Sequence, residues 1–138
     1  MPRIDIHKTY MKMALNIAEL SYCERKKVGC IMVKDKAVIS CAYNGTVAGS
    51  DNSCEIDGVT KKEVIHAELN CVAKVSKSTN SSDGSAMYIT LSPCFECAKV
   101  MCASGVSNVY YLEIYRDMSG IEFLEQNGIK CEQINLEN

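Results

Sequence analysis

Apolar residues recur along the chain with two different periods, and the switching between them predicts the elements. Tyr10, Met13, Ala14, Ile17 and Ala18 fall at i, i+3, i+4, i+7 and i+8, one stripe of an amphipathic helix. That helix is expected over residues 5–22, with Asp5 as its cap or first-turn acid. Residues 28–33 and 37–43 are apolar and largely β-branched on either side of Lys34-Asp35-Lys36. They predict two antiparallel strands, apolar on both faces and therefore central or covered. Asn44-Gly45-Thr46 ends the second strand and opens a polar loop to about residue 62, a length that is uncommon unless the loop has a job.

Helical spacing returns at Ile65, Leu69, Val72 and Ala73, a second helix with His66 and Glu68 in its first turn. A polar turn from Lys77 to Ser85 leads to the strand Met87-Tyr88-Ile89-Thr90-Leu91. Ser92-Pro93 then reads as an N-cap followed by proline at the first helical position. Cys94, Cys97, Ala98 and Met101 trace the stripe of this third helix, which stops near Gly105. Val109-Tyr110-Tyr111-Leu112 is a strand, Ile121 and Leu124 belong to a short fourth helix ending at Gly128, and residues 129–135 form a more polar edge strand. The order α-β-β-α-β-α-β-α-β within one domain spanning residues 1–138 implies a three-layer α/β/α architecture with a mixed five-stranded sheet. Strands joined by helices should be parallel, with right-handed crossovers.

Composition narrows the classes without choosing among them. With 47% apolar and 23% charged residues the chain resembles an ordinary globular protein, and its length suits one core. The apolar runs fall short of the roughly 18 residues of a membrane span, and Met1-Pro2-Arg3-Ile4-Asp5 lacks the apolar stretch of a signal peptide. A cytoplasmic location is the expectation. Nine cysteines are an odd number, and most sit inside apolar runs, as Cys30, Cys41, Cys71 and Cys102 do. They read as small buried hydrophobes in a reducing compartment. The net charge of −2 argues against a polymeric nucleic-acid partner, while a small phosphorylated ligand needs only a few local cations.

The chemistry concentrates at His66-Ala67-Glu68 and Pro93-Cys94-Phe95-Glu96-Cys97. One imidazole and two thiolates suit zinc, and three protein ligands leave the fourth tetrahedral position open for water. A carboxylate next to such a site can move protons, the role expected for Glu68. The helix N-termini favour the thiolate forms of Cys94 and Cys97. Three other readings compete: a redox dithiol, which needs no upstream His-x-Glu; a structural zinc site, which needs a fourth ligand from Cys54, Cys71 or Cys102; and a non-catalytic zinc module, which needs no Glu68. His7, the second histidine, reads as a surface residue.

At these residues the chain is similar to the zinc-dependent nucleobase deaminases, whose signature is His-x-Glu followed by Pro-Cys-x-x-Cys. Val28-Gly29-Cys30, Tyr43-Asn44-Gly45-Thr46, His66-Ala67-Glu68-Leu69-Asn70 and the run from Thr90 to Lys99 resemble the deoxycytidylate deaminase branch. The resemblance runs from about Arg3 to the last strand. It implies a cytidine deaminase-like fold and the hydrolytic deamination of dCMP to dUMP, a step towards thymidylate. It implies His66, Cys94 and Cys97 as zinc ligands, one zinc per chain, and Glu68 as the residue that protonates N3 and then the departing amine. The backbones of Ala67 and Ser92 would read the pyrimidine edge and Asn44 the sugar, with Arg25, Lys27, Tyr115 and Arg116 for the 5′-phosphate. A homo-hexamer activated by dCTP and inhibited by dTTP is implied as well, with Mg2+ accompanying a triphosphate at an effector site drawn from Arg3, Lys26, Asn44 and Gly45. Cys23 and Cys54 fall where some relatives hold a second zinc, but no spare histidine stands near them. Cytidine, guanine and tRNA-adenosine deaminases are the rival members. A histidine ligand speaks against the first, and the chain's charge against the last.

Overall fold

The computed structural model, which describes residues 5–137, runs α1 (Ile6–Ala18), β1 (Gly29–Lys34), β2 (Ala37–Tyr43), β3 (Glu55–Ile56) and β4 (Val59–Thr60). It continues with α2 (Ala67–Ser76), β5 (Ala86–Leu91), α3 (Phe95–Ala103), β6 (Asn108–Glu113), α4 (Ser119–Gln126) and β7 (Lys130–Gln133). Five strands form one mixed sheet in the order β2-β1-β5-β6-β7. The pairs β2/β1 and β1/β5 are antiparallel, while β5/β6 and β6/β7 are parallel and joined through α3 and α4.

The period-2 alternation divides each strand between two cores. Cys30 and Met32 of β1, Met87 and Ile89 of β5, and Val109 and Tyr111 of β6 pack with α2, α3 and α4. Ile31 and Val33, Tyr88 and Tyr110 point to the other face, where Met11 and Ala14 of α1 cover them. The expected α/β/α layering is therefore present. Burying a side chain the size of Met32 or Ile89 stabilises the fold by about 1.5–3 kcal/mol, so the central strands carry much of it.

Several elements differ from expectation, each for a local reason. Helix α1 is capped by Asp5, whose side chain accepts from the His7 N–H at 3.0 Å. It stops at Ala18, because Leu20 and Ser21 bond back three residues, a tight last turn. Strand β2 is an edge strand, exposed where it begins and covered by α2 only in its second half. The polar loop after it contains the β3/β4 hairpin, turned at Asp57-Gly58 with φ of 52° and 77°. Two successive positive φ values are what a two-residue hairpin turn requires. Helix α3 begins at Phe95 with Cys94 as N-cap, so Ser92 and Pro93 lie before it. His7 is half-buried, stacked on Tyr110 at 4.5 Å with Nδ1 2.6 Å from the Tyr88 hydroxyl, because α1 lays its first turn on the aromatic end of β5 and β6.

Candidate active site

Main-chain bonds from the end of β2 shape the site before any reactive group enters it. The Asn44 amide is engaged at both ends: Oδ1 accepts from the Val28 N–H at 2.9 Å, and Nδ2 donates to the Lys26 carbonyl at 2.8 Å. Its carbonyl accepts from the Ser21 hydroxyl at 2.8 Å. Gly45 pairs with Ile65 through two main-chain bonds of 3.1 and 2.7 Å, which delivers His66 to the start of α2. Opposite, Gly120 at the start of α4 lies so close to the Pro93 carbonyl that a Cβ there would stand 2.2 Å from its oxygen.

His66 is the N-cap residue of α2 and Cys94 that of α3, with Cys97 one turn into the latter. His66 Nδ1 lies 3.3 Å from Cys97 Sγ and 3.6 Å from Cys94 Sγ. Ligand bonds of about 2.0 and 2.3 Å at tetrahedral angles would separate nitrogen and sulfur by about 3.5 Å. The three side chains thus fit a tetrahedral zinc ion, and among the described residues this cluster ends at three donors. The Cys97 thiol and the His66 ring stabilise the Cys94 thiolate, lowering its pKa to about 4, while the bond to Cys94, together with burial, pushes that of Cys97 far up. Hydrogen bonding to Cys94 raises the pKa of His66 despite its partial burial. A metal ion would replace the proton that Cys97 keeps.

Glu68, in the first turn of α2, is 4% exposed, and burial raises its pKa to about 7. A carboxyl with that pKa gains and loses a proton near neutrality, as a general acid–base must. It faces a cleft of about 320 Å³ shared with His66 and Cys94, within the size range of small-molecule sites.

Of the residues singled out in the sequence, Arg25, Lys26, Asn44, Ala67, Ser92 and Tyr115 also line this cleft. Lys27, Gly45 and Arg116 do not line it, and Arg3 lies outside the described residues. Lys26 pairs with Glu113 at 2.9 Å across the rim. The Ser92 hydroxyl accepts from the Tyr115 N–H at 2.6 Å, and the Ser92 N–H donates to the Glu113 carbonyl at 2.9 Å. Sequence reasoning missed the wall contributed by the long loop, namely Glu55 and Thr60 with Val64 beyond them. The Asp57-Gly58 turn between two short apolar-containing runs was the available signal for its hairpin.

The cysteines hold one correction. Cys23 and Cys54, expected as reduced thiols, are joined sulfur to sulfur with their Cα atoms 5.1 Å apart. Ser21 and Asn44 hold one loop and the hairpin the other, so the fold brings two distant buried thiols together. Glu55 lies beside them, its carboxylate within 4.8 Å of both sulfurs. The remaining seven cysteines are free; among them Cys30, Cys41, Cys71 and Cys102 are the expected apolar fillers, and Cys94 and Cys97 are the candidate metal donors.

Three candidate metal donors at two helix N-termini, with a buried carboxyl beside them on an α/β/α sheet, are the arrangement a metal-dependent hydrolase would use. Residues 4–113 match the family of the cytidine and deoxycytidylate deaminase zinc-binding region, and the chain belongs to that family. It is a deaminase-class hydrolase with a five-stranded cytidine deaminase-like fold. A crystal structure of dCMP deaminase from the cyanophage S-TIM5 in complex with dCMP and dUMP superposes with a TM-score of 0.92 at 40% identity, covering 97% of this chain and all of that one. ComE operon protein 2 of Bacillus subtilis (strain 168) is 34% identical, covering 99% of this chain and 75% of that protein. Deoxycytidylate deaminase of Mycobacterium phage D29 is 31% identical, covering 80% of this chain and 97% of that enzyme. Among the described residues no helix is long and apolar enough to cross a membrane.

Proposed function

We propose that the chain hydrolyses dCMP to dUMP and ammonia. The observation that carries this is the buried Glu68 carboxyl facing the same cleft as His66 and Cys94, with Cys97 buried behind them as the third donor. His66, Cys94 and Cys97 would hold one zinc per chain, and zinc when bound supplies Lewis acidity that lowers the pKa of water. Glu68 takes a proton from the attacking water and delivers it to N3 of the pyrimidine. It then passes the second water proton to the exocyclic amine. Oxygen replaces nitrogen at C4, the C4–N4 bond breaks, ammonia departs, and Glu68 ends in its starting state. The Ser92 carbonyl is left to accept from the exocyclic amine, since the Ser92 N–H is engaged with Glu113. Ala67, the first residue of α2, has an N–H without an intrahelical partner, suited to the pyrimidine edge.

Arg25 and Tyr115 serve the 5′-phosphate, with Lys27 and Arg116 as outer cations, and Asn44 orders the wall beneath the sugar. Arg25 supports this reading best: it lines the cleft and takes no carboxylate partner among the described residues. The family resemblance supports a cytoplasmic homo-hexamer supplying dUMP for thymidylate synthesis. The resemblance also supports activation by dCTP and inhibition by dTTP, bound with Mg2+ at a second site near Arg3, Lys26, Asn44 and Gly45. Ammonia release measured with dCMP, deoxycytidine, CMP, guanine and a tRNA, with and without dCTP and dTTP, tests all of this. One charged hydrogen bond to phosphate amounts to roughly 10–100-fold, so dCMP should exceed deoxycytidine by at least that much. Equal specificity constants would overturn the phosphate reading, and hyperbolic kinetics indifferent to both triphosphates would remove the effector site.

A further inference from the structure

We infer that Glu55, which the chemistry above does not use, is a positioning residue that sets Arg25 at the phosphate end of the cleft. The inference rests on the dCMP reading. Glu55 opens β3, on the long polar loop, and is half-buried in the cleft wall. Its Oε2 accepts from two successive main-chain donors, the Glu24 N–H at 3.0 Å and the Arg25 N–H at 3.2 Å. One residue earlier, Cys54 is bonded to Cys23. Consecutive residues of one loop therefore grip consecutive residues of the other, Cys54 to Cys23 and Glu55 to Glu24 and Arg25.

A carboxylate facing a phosphate site would ordinarily repel the ligand. Here its charge is turned onto the wall, into two charge-assisted hydrogen bonds that hold the backbone of the turn at residues 24 and 25. The Arg25 guanidinium is untouched by this, since Glu55 meets only the Arg25 main chain. Lys26, the next cation on the wall, is paired with Glu113. Glu55 thus fixes where Arg25 starts and leaves its charge for the ligand. A loop of this length without a packed helix is expected to carry function, and one placed carboxylate is a sufficient reason for it.

Steady-state kinetics of E55A and E55Q on dCMP and deoxycytidine, in wild-type and R25A backgrounds, with zinc content and melting recorded, test the inference. E55A should raise KM for dCMP about tenfold with kcat within about twofold, and leave deoxycytidine turnover unchanged. E55Q, whose amide oxygen still accepts, should restore most of the loss. In the R25A background E55A should add nothing, since it acts through Arg25. Equal losses on both substrates, an undiminished effect in R25A, or loss of a second zinc from E55A would each overturn it. If wild-type enzyme uses both substrates equally, the phosphate reading fails and takes the inference with it. A strong dCMP preference unmoved by E55A overturns the inference alone.

Discussion

Two cysteine pairs each give one member, Cys94 and Cys23, to the wall of one cleft, and they are assembled in opposite ways. Cys94 and Cys97 lie at the start of one helix, so a single turn brings their sulfurs together. Cys23 and Cys54 are 31 residues apart in sequence and meet because the β3/β4 hairpin folds back on the loop before β1. The first pair has His66 beside it, and its donor atoms stay available to a metal. The second is closed on itself, with Glu55 beside it bonded to backbone N–H groups. The third group differs between the two: an imidazole beside an open cleft in one, a carboxylate turned onto the main chain in the other.

The largest expected effect separates the two pairs. Cys97→Ser should strip the zinc and lower ammonia release by on the order of 10^4 or more, because Lewis acidity and water activation go together. Replacing both Cys23 and Cys54 by Ser should keep the zinc and the reaction. Its cost appears in unfolding free energy, about 3–4 kcal/mol for opening a cross-link across 31 residues, read by urea denaturation. Zinc lost from the second variant would erase the distinction.

Next in size is Glu68, which belongs to the open pair's side of the cleft. Glu68→Gln should retain zinc and lose roughly 10²–10⁴ in kcat. In metal-free protein the same substitution reads the burial directly. The folded-state pKa of about 7 lies above the ordinary 4.5, so the folded state binds the proton more tightly than the unfolded chain. The contribution of Glu68 to stability is then greatest below pH 4.5 and declines as pH rises from 4.5 through 7, by about 3 kcal/mol in all. Metal-free E68Q should exceed wild type by up to about 3 kcal/mol at pH 8 and match it near pH 4, by urea denaturation at each pH. A gain equal at both pH values would mean that the carboxyl's charge is not what burial penalises.

The smallest effect is expected at the rim. Lys26 and Glu113 are 47% and 54% exposed, and a solvent-screened pair of this kind contributes about 0.2–1 kcal/mol. A double-mutant cycle through K26A and E113A should return a coupling in that range; a larger value would make the pair a fastener of the cleft comparable to the Cys23–Cys54 cross-link.

Much of the architecture could be read from local signals. The strand alternation at Cys30-Ile31-Met32 and Met87-Tyr88-Ile89, and the stripe on α1, reflect burial period alone, and each element forms where they predict. Boundaries were less legible. The tight turn after Ala18 and the cap at Cys94 are settled by hydrogen bonds that composition does not reveal. The apolar residues of strand β2 predict a central or covered strand; it is an edge strand partly covered by α2, because an edge position is a property of the whole sheet.

The sequence by itself determined the chemistry on offer: one imidazole, a carboxyl two residues on, and two thiols one helical turn apart, each spacing enforced by local backbone geometry. Tertiary structure alone decided that Lys27 and Arg116 fall away from the cleft, that Asn44 is fastened at both ends, that Cys23 finds Cys54, and that Glu55 faces Arg25. The physical reason is reach. Covalent neighbours are constrained by a few dihedral angles, whereas residues far apart in sequence meet only after burial of the sheet has closed the loops between them.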